Sequence, residues 1–326
     1  MDLRSVQMTR GGTFFVSLPK GWANQNGLVR GSIVATSITA DGHLIIDARY
    51  NVEPVPMTIV IKPSEHLDRE IIGKYLLGYD IIQIEAKNRI SFEDREKVER
   101  TASRLIGLEI IEENYSSIVM QCLLETSALP PERILKREQS IASGMYRDAI
   151  TALIEGDTQL AKSVIARDNE VDRLYFLLVR ILRRIIQNPS LSEKLKIPPI
   201  DCLDYRLTAS LVESIGDLAS QIAEHSLQLK GLKITKEIAK EISDFYEVVY
   251  DTYETSLRAF FSRDISMAES VGGKRVMVEE LYRKVESLAN MQPAELSQSI
   301  LSVASIISQI YDHSVDISDL TMPRIH

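Results

Sequence analysis

The segment ARDNEVD, residues 166–172, holds Asp168, Glu170 and Asp172 within five positions. In a helix, residues four apart share a face, so Asp168 and Asp172 stand together. Glu170 lies about 200° around the helix from Asp168 and points elsewhere. Glu213 and Asp217 repeat the same spacing further along the chain. If the two segments are antiparallel neighbours, four carboxylates converge. They repel unless neutralised, and an oxygen-only set suits a hard cation such as Mg²⁺, Mn²⁺, Ca²⁺ or iron. The same spacing also fits a solvated helix face with Arg167 and Arg173 as ion-pair partners. Asp217 fits that second reading less well, because it follows Gly216 inside an apolar run.

The elements that would position these acids are helical. From Leu129-Pro130-Pro131 onward the hydrophobic period is that of a helix. Turn signals at Asn188-Pro189, Ile197-Pro198-Pro199, Gly231 and Met291-Gln292-Pro293 divide the region. The expected helices run over about 130–154, 157–187, 201–229, 234–263, 265–290 and 293–319. An internal repeat is present. Ile215, Asp217 and Ile222 align with Ile310, Asp312 and Ile317, and VDRLY (171–175) aligns with VEELY (278–282). The second and third helices therefore recur as the fifth and sixth, which predicts two copies of a three-helix unit. In the second copy Arg275 stands where Asp168 stands and Ser308 where Glu213 stands, leaving Glu279 and Asp312 as acids. Any metal centre belongs to the first copy.

Two smaller segments precede the helices. Residues 1–50 read as short strands, with Thr13 to Leu18 β-rich, Pro19 opening a short helix to Gln25, and Gly27 closing it. Strands at Ser32 to Thr36 and His43 to Asp47 follow, joined by the turn Ala40-Asp41-Gly42. So small a piece cannot bury a core alone and needs a partner chain. After a linker, NVEPVP (51–56), residues 55–126 follow the order βαβαββ, a small α/β layer domain with no glycine-rich phosphate loop. Ser91 with Asp94 forms a capping pattern for its second helix.

Composition bounds the function. The chain has 326 residues and a net charge of −8. Residues 1–50 hold Arg4, Arg10, Lys20, Arg30 and Arg49 against Asp2, Asp41 and Asp47, a local +2 that leaves −10 elsewhere. Cys122 and Cys202 form no motif, which points to a reducing compartment. There is no signal-peptide run, and Arg180, Arg183 and Arg184 interrupt the most apolar helix. A cytoplasmic protein without membrane insertion is expected. The five histidines form no ligand spacing and Glu-x-x-His is absent. Gly272-Gly273-Lys274 reads as a helix break rather than a phosphate loop. Trp22 reads as a core anchor of the dimer, and Tyr175 and Tyr282 as core. No nucleophile or acid–base pair appears, so an enzyme is not expected.

Two resemblances follow from these residues. GMYRDAITALIEGDTQLAKSVIARDNEVDRLY, with ESIGDLASQIAE, resembles a PhoU domain over about 190 residues. That family has tandem three-helix bundles whose E/D-x-x-x-D motifs bind metal clusters. The resemblance implies that Asp168, Asp172, Glu213 and Asp217 are metal ligands. RSVQMTRGGTFFVSLPKGWANQNGLVRGSIV resembles the SpoVT/AbrB swapped-hairpin module, in which two chains interlock and usually grip DNA. The pairing is similar to archaeal phosphate uptake regulators. The fold expected is thus a multidomain α+β chain: a swapped-hairpin β module (1–50), a small α/β domain (55–126) and tandem three-helix bundles (130–326).

These features support a phosphate-responsive transcription regulator that binds DNA as a homodimer through Arg4, Arg10, Lys20 and Arg30. The alternative is a partner-binding protein that acts on a phosphate-transport ATPase or sensor kinase, its N-terminal module serving only to dimerise.

Overall fold

The computed structural model describes residues 3–38, 42–48, 56–125, 129–229 and 232–323. Ala40 and Asp41 of the expected turn, residues 51–55 of the expected linker, and Gly231 lie outside them. The chain divides into two units, Met1–Val55 and Pro56–His326.

The first unit is built from two small hairpins. β1 (Gln7–Met8) pairs antiparallel with β2 (Phe14–Phe15), and β3 (Ala35–Ile38) with β4 (Leu44–Asp47). Helix α1 (Lys20–Gln25) lies between the hairpins in sequence. No described side chain from Leu3 to Ala48 is buried. Phe14 is 71% exposed and Ile33 75%. Trp22, expected as a core anchor of the dimer, is half-buried within the single chain.

The second unit begins with an α/β layer. Strands β5 (Thr58–Ile61), β6 (Ile81–Glu85), β7 (Leu108–Glu113) and β8 (Ser117–Cys122) form one sheet in the order β5-β6-β8-β7. β5 and β6 are parallel, connected by α2 (Leu67–Leu76), and the other pairs are antiparallel. Alternation explains the packing: Ile82 and Ile84 of β6, and Ile118, Met120 and Cys122 of β8, are buried every second residue. They pack with Leu67, Ile71 and Tyr75, spaced by four along α2, and with Val98 of α3 (Phe92–Ser103). Ser91 caps α3, accepting from Asp94 N at 3.0 Å and donating to Asp94 Oδ2 at 2.7 Å.

The remaining chain is helical: α4 (Pro131–Glu155), α5 (Thr158–Gln187), α6 (Pro189–Leu195), α7 (Asp201–Gln228), α8 (Lys236–Ser262), α9 (Ile265–Gly272), α10 (Arg275–Ala289) and α11 (Ala294–Asp319). Helices α4, α5 and α7 pack on one another, and so do α8, α10 and α11. The aligned residues Ile215, Ile222, Ile310 and Ile317 are all fully buried. Tyr175 and Tyr282 are only partly buried, packed against the helical core.

One boundary differs from expectation, and one helix divides where Gly272-Gly273-Lys274 reads as a break. The Asn188-Pro189 turn opens a further short helix, α6, because proline suits a first helical position and the Asn188 side chain accepts from Leu191 N. The helix expected over 265–290 breaks after Gly272. The Tyr311 hydroxyl donates to Val271 O at 3.3 Å and Gly272 O at 3.2 Å, adding a side-chain partner to carbonyls at the break.

Helix α5 carries the α/β layer on one stripe. Phe176 packs against the core of the layer. One turn on, Arg180 donates to Tyr75 O at 2.6 Å and Tyr79 O at 2.9 Å, and contacts Asp80 at 3.3 Å. Arg184 donates to Asp80 at 2.6 Å and Gly78 O at 3.3 Å. Arg180 is 2% exposed, so removing it breaks three bonds that a buried guanidinium makes between α5 and the layer. Arg180→Met is expected to destabilise the chain by about 3–5 kcal/mol, the scale of a broken buried pair. Urea unfolding of the variant against wild type measures this.

Candidate metal centre

Helices α5 and α7 pack closely where each carries its acids: a Cβ at Gly216 would already touch the Val171 side chain, at 3.4 Å. Val171, Val212 and Ile215 are buried in the common core and fix the rotation of both helices. Carboxylate oxygens of Asp172, Glu213 and Asp217 then fall within 4.8 Å of one another. Asp168 lies outside that group of three but within range of its charge.

The electrostatics follow from this crowding. Burial pushes the Glu213 carboxyl up to about 7, and the charges of Asp217, Asp172 and Asp168 add to the effect. Burial raises Asp217, reinforced by Asp168 and Asp172. Asp168 is raised by burial too, with Ser220 acting in the opposite sense and Asp172 and Glu224 in the same one.

Sequence reasoning missed Glu138 on α4. Its carboxylate is fully buried and neither oxygen has a hydrogen-bond partner. Burial raises it well above the usual carboxylate range, Glu213 raises it further, and Arg206 opposes both. The signal was available, since Glu138 sits on an apolar stripe with Leu135, Ala142 and Met145. Arg104 was missed as well: it ends α3 and donates to Asp172 Oδ2 at 3.1 Å, a contact that no local pattern announces.

The solvated-face reading loses one of its partners and Glu170 turns away. Arg167 pairs with Asp148 of α4, and Glu170 accepts from Arg137 at 2.8 Å. The clustered oxygens fit a hard cation: all donors are carboxylates, they converge, and Glu213 and Asp217 are raised by burial and by the negative charge around them. A bound cation would supply the opposite charge.

The second copy is built differently. Arg275 donates to Asp312 at 3.4 Å and lies over the Tyr311 ring at 5.3 Å. With Glu279, Ser305 and Ser308 it lines a cavity of about 330 Å³. A guanidinium carried by α10 itself takes the place where the first copy gathers acids.

The comparisons with known proteins agree with this architecture. The model of the PhoU domain matches residues 135–226 and 242–321, one segment for each triplet of helices. The chain belongs to the PhoU domain family. Relatives include the phosphate-specific transport system accessory protein PhoU homolog 1 of Thermotoga maritima, 26% identical over 182 residues, covering 53% of this chain and 76% of that one. The corresponding homolog of Clostridium acetobutylicum is 26% identical over 199 residues, covering 58% of this chain and 87% of that one. The crystal structure of PhoU from Pseudomonas aeruginosa shares the fold, with a TM-score of 0.53 at 21% identity over 60% of this chain and 95% of that one.

These findings correct the expectation of a DNA-binding transcription regulator. The relatives are named as accessory proteins of phosphate-specific transport. Of the four residues expected on DNA, Arg4 donates within its own unit to Ser17 Oγ at 3.1 Å, Ser17 O at 3.3 Å and Leu18 O at 3.4 Å. Arg10, Lys20 and Arg30 lie exposed on the same unit.

Asp172→Asn and Asp217→Asn are each expected to lower the metal content of protein purified without chelator, while Glu170→Gln leaves it unchanged; elemental analysis reads the difference. Asp312→Asn, whose partner is Arg275, is expected to matter less. A pH dependence follows as well. A carboxyl raised in the fold binds its proton more tightly folded than unfolded, so metal-free protein loses stability as pH climbs from about 4.5 toward about 7. Glu213→Gln is expected to flatten that decline in denaturation curves taken across the range.

Proposed function

We propose that this chain is a PhoU-type accessory regulator that acts by binding a protein of a phosphate-transport system, either its transport ATPase or an associated sensor kinase. The observation that carries the reading is the pair of three-helix units spanned by the PhoU match, with an acidic cluster in the first. The relatives are named for that transport system. No helix among the described residues is long and apolar enough to cross a membrane, so contact with a transporter runs through its non-membrane parts.

Two finer features belong to the same proposal. A hard cation (Mg²⁺, Mn²⁺, Ca²⁺ or iron) is held by Asp172, Glu213 and Asp217, with Asp168 adjoining. Residues 3–48 dimerise in the manner of the swapped-hairpin modules they resemble. Two strand pairs without a buried side chain lack the core that would hold them folded alone, and a second copy supplies apolar surface for Phe14, Ile33 and Leu44.

Co-purification tests the main reading. The full chain is expected to elute with the nucleotide-binding subunit of a phosphate transporter expressed beside it, or with its sensor kinase; separate elution from both contradicts it. Sedimentation tests the dimer. The full chain is expected to sediment as a dimer, and Phe14→Ser with Ile33→Ser is expected to shift it toward monomer.

A further inference from the structure

Arg104 is the cation that the structure pairs directly with the first acidic cluster, and it comes from the α/β layer rather than from the helices that carry the acids. Its contact differs from the other arginine contacts holding the layer to α5. Arg180 is deeply buried and makes three bonds, two of them to backbone carbonyls. The Arg104 side chain donates to Asp172 at 3.1 Å, and its buried Nε has no hydrogen-bond partner among the described residues. The first pattern is a fixed clamp. The second is an under-satisfied guanidinium resting on the cluster's edge.

The second copy supplies the comparison. There Arg275 is carried by α10 itself, at the position aligned with Asp168, and pairs with Asp312. One copy therefore has its guanidinium built into the bundle, whereas the other borrows one from a neighbouring layer. A charge on a separate layer can leave without disturbing the bundle.

We infer that Arg104 is an exchangeable counter-ion of the first acidic cluster, displaced by a divalent cation, and that the α/β layer thereby responds to whether the cluster is loaded. The inference rests on the cation-binding reading above. Asp172 cannot give the same oxygen fully to a guanidinium and to a hard cation that draws its charge, so the two compete. Phe176, Arg180 and Arg184 keep the layer on α5 throughout. The change is confined to the end of α3, where the amides of Arg104 and Leu105 donate to Thr101 O at 3.1 Å and Ala102 O at 2.9 Å.

The test uses the full chain stripped with chelator, titrated with Mn²⁺ by calorimetry and followed by hydrogen exchange. Arg104→Ala is expected to bind Mn²⁺ about two- to fivefold more tightly than wild type, the scale of a partly exposed ion pair. Arg104→Lys, which keeps the charge, is expected to stay close to wild type. Saturating Mn²⁺ is expected to speed exchange over residues 101–108 in wild type, and to leave it unchanged in Arg104→Ala. Mn²⁺ binding of equal affinity in wild type and Arg104→Ala overturns the exchange of counter-ions while leaving the cation site standing. Absence of Mn²⁺ binding in both proteins overturns the two together.

Discussion

Apolar packing between α5 and α7 forces like charges together, and much of the molecule answers to that conflict. Val171 on one helix and Val212 and Ile215 on the other are buried, each worth about 1.5–3 kcal/mol against exposure. Gly216 lies against the Val171 side chain where the two helices meet. Asp172, Glu213 and Asp217 are carried into the gap by the same rotation that buries their apolar neighbours. The repulsion is bounded, because a carboxyl that finds no positive charge takes up a proton, and Glu213 is raised to about 7. A cation resolves the conflict without protonation. The buried, unpartnered Glu138 beside Glu213 deepens the same deficit of positive charge.

Helix α5 joins this conflict to the rest of the chain. Asp168, Asp172, Phe176, Arg180 and Arg184 recur at every fourth residue. Each step of four overshoots a full turn by about 40°, so the stripe winds slowly around the helix. Its first part faces the acids of α7 and its later part grips the α/β layer. Asp172 lies at the junction and belongs to both, through the cluster on one side and Arg104 on the other. A change in charge at the cluster therefore has a short physical route into the layer.

Much of this was legible before any coordinates. The period of the apolar residues gave the long helices, and the alignment of Ile215, Asp217 and Ile222 with Ile310, Asp312 and Ile317 gave their duplication. The four-residue spacing of the acids located the cluster, because side chains on one helical face must follow that spacing. What escaped was non-local. Arg180 and Arg184 served only as evidence against a membrane span, since nothing in the sequence shows that they meet the carbonyls of residues 75, 78 and 79. Arg104 and Asp172 are 68 positions apart and share no pattern. The basic N-terminal segment misled in another way: positive charge in a small β module suits DNA, but the relatives over the helical body are named for transport.

Thermal unfolding of chelator-stripped protein, with and without Mn²⁺, tests the conflict at α5 and α7 most directly. A ligand that binds only the folded state raises its melting temperature. Wild type is therefore expected to melt higher with Mn²⁺. A variant combining Asp172→Asn, Glu213→Gln and Asp217→Asn is expected to melt above metal-free wild type and to ignore the ion. A triple variant that melts no higher than metal-free wild type, together with a wild type indifferent to Mn²⁺, would contradict the account.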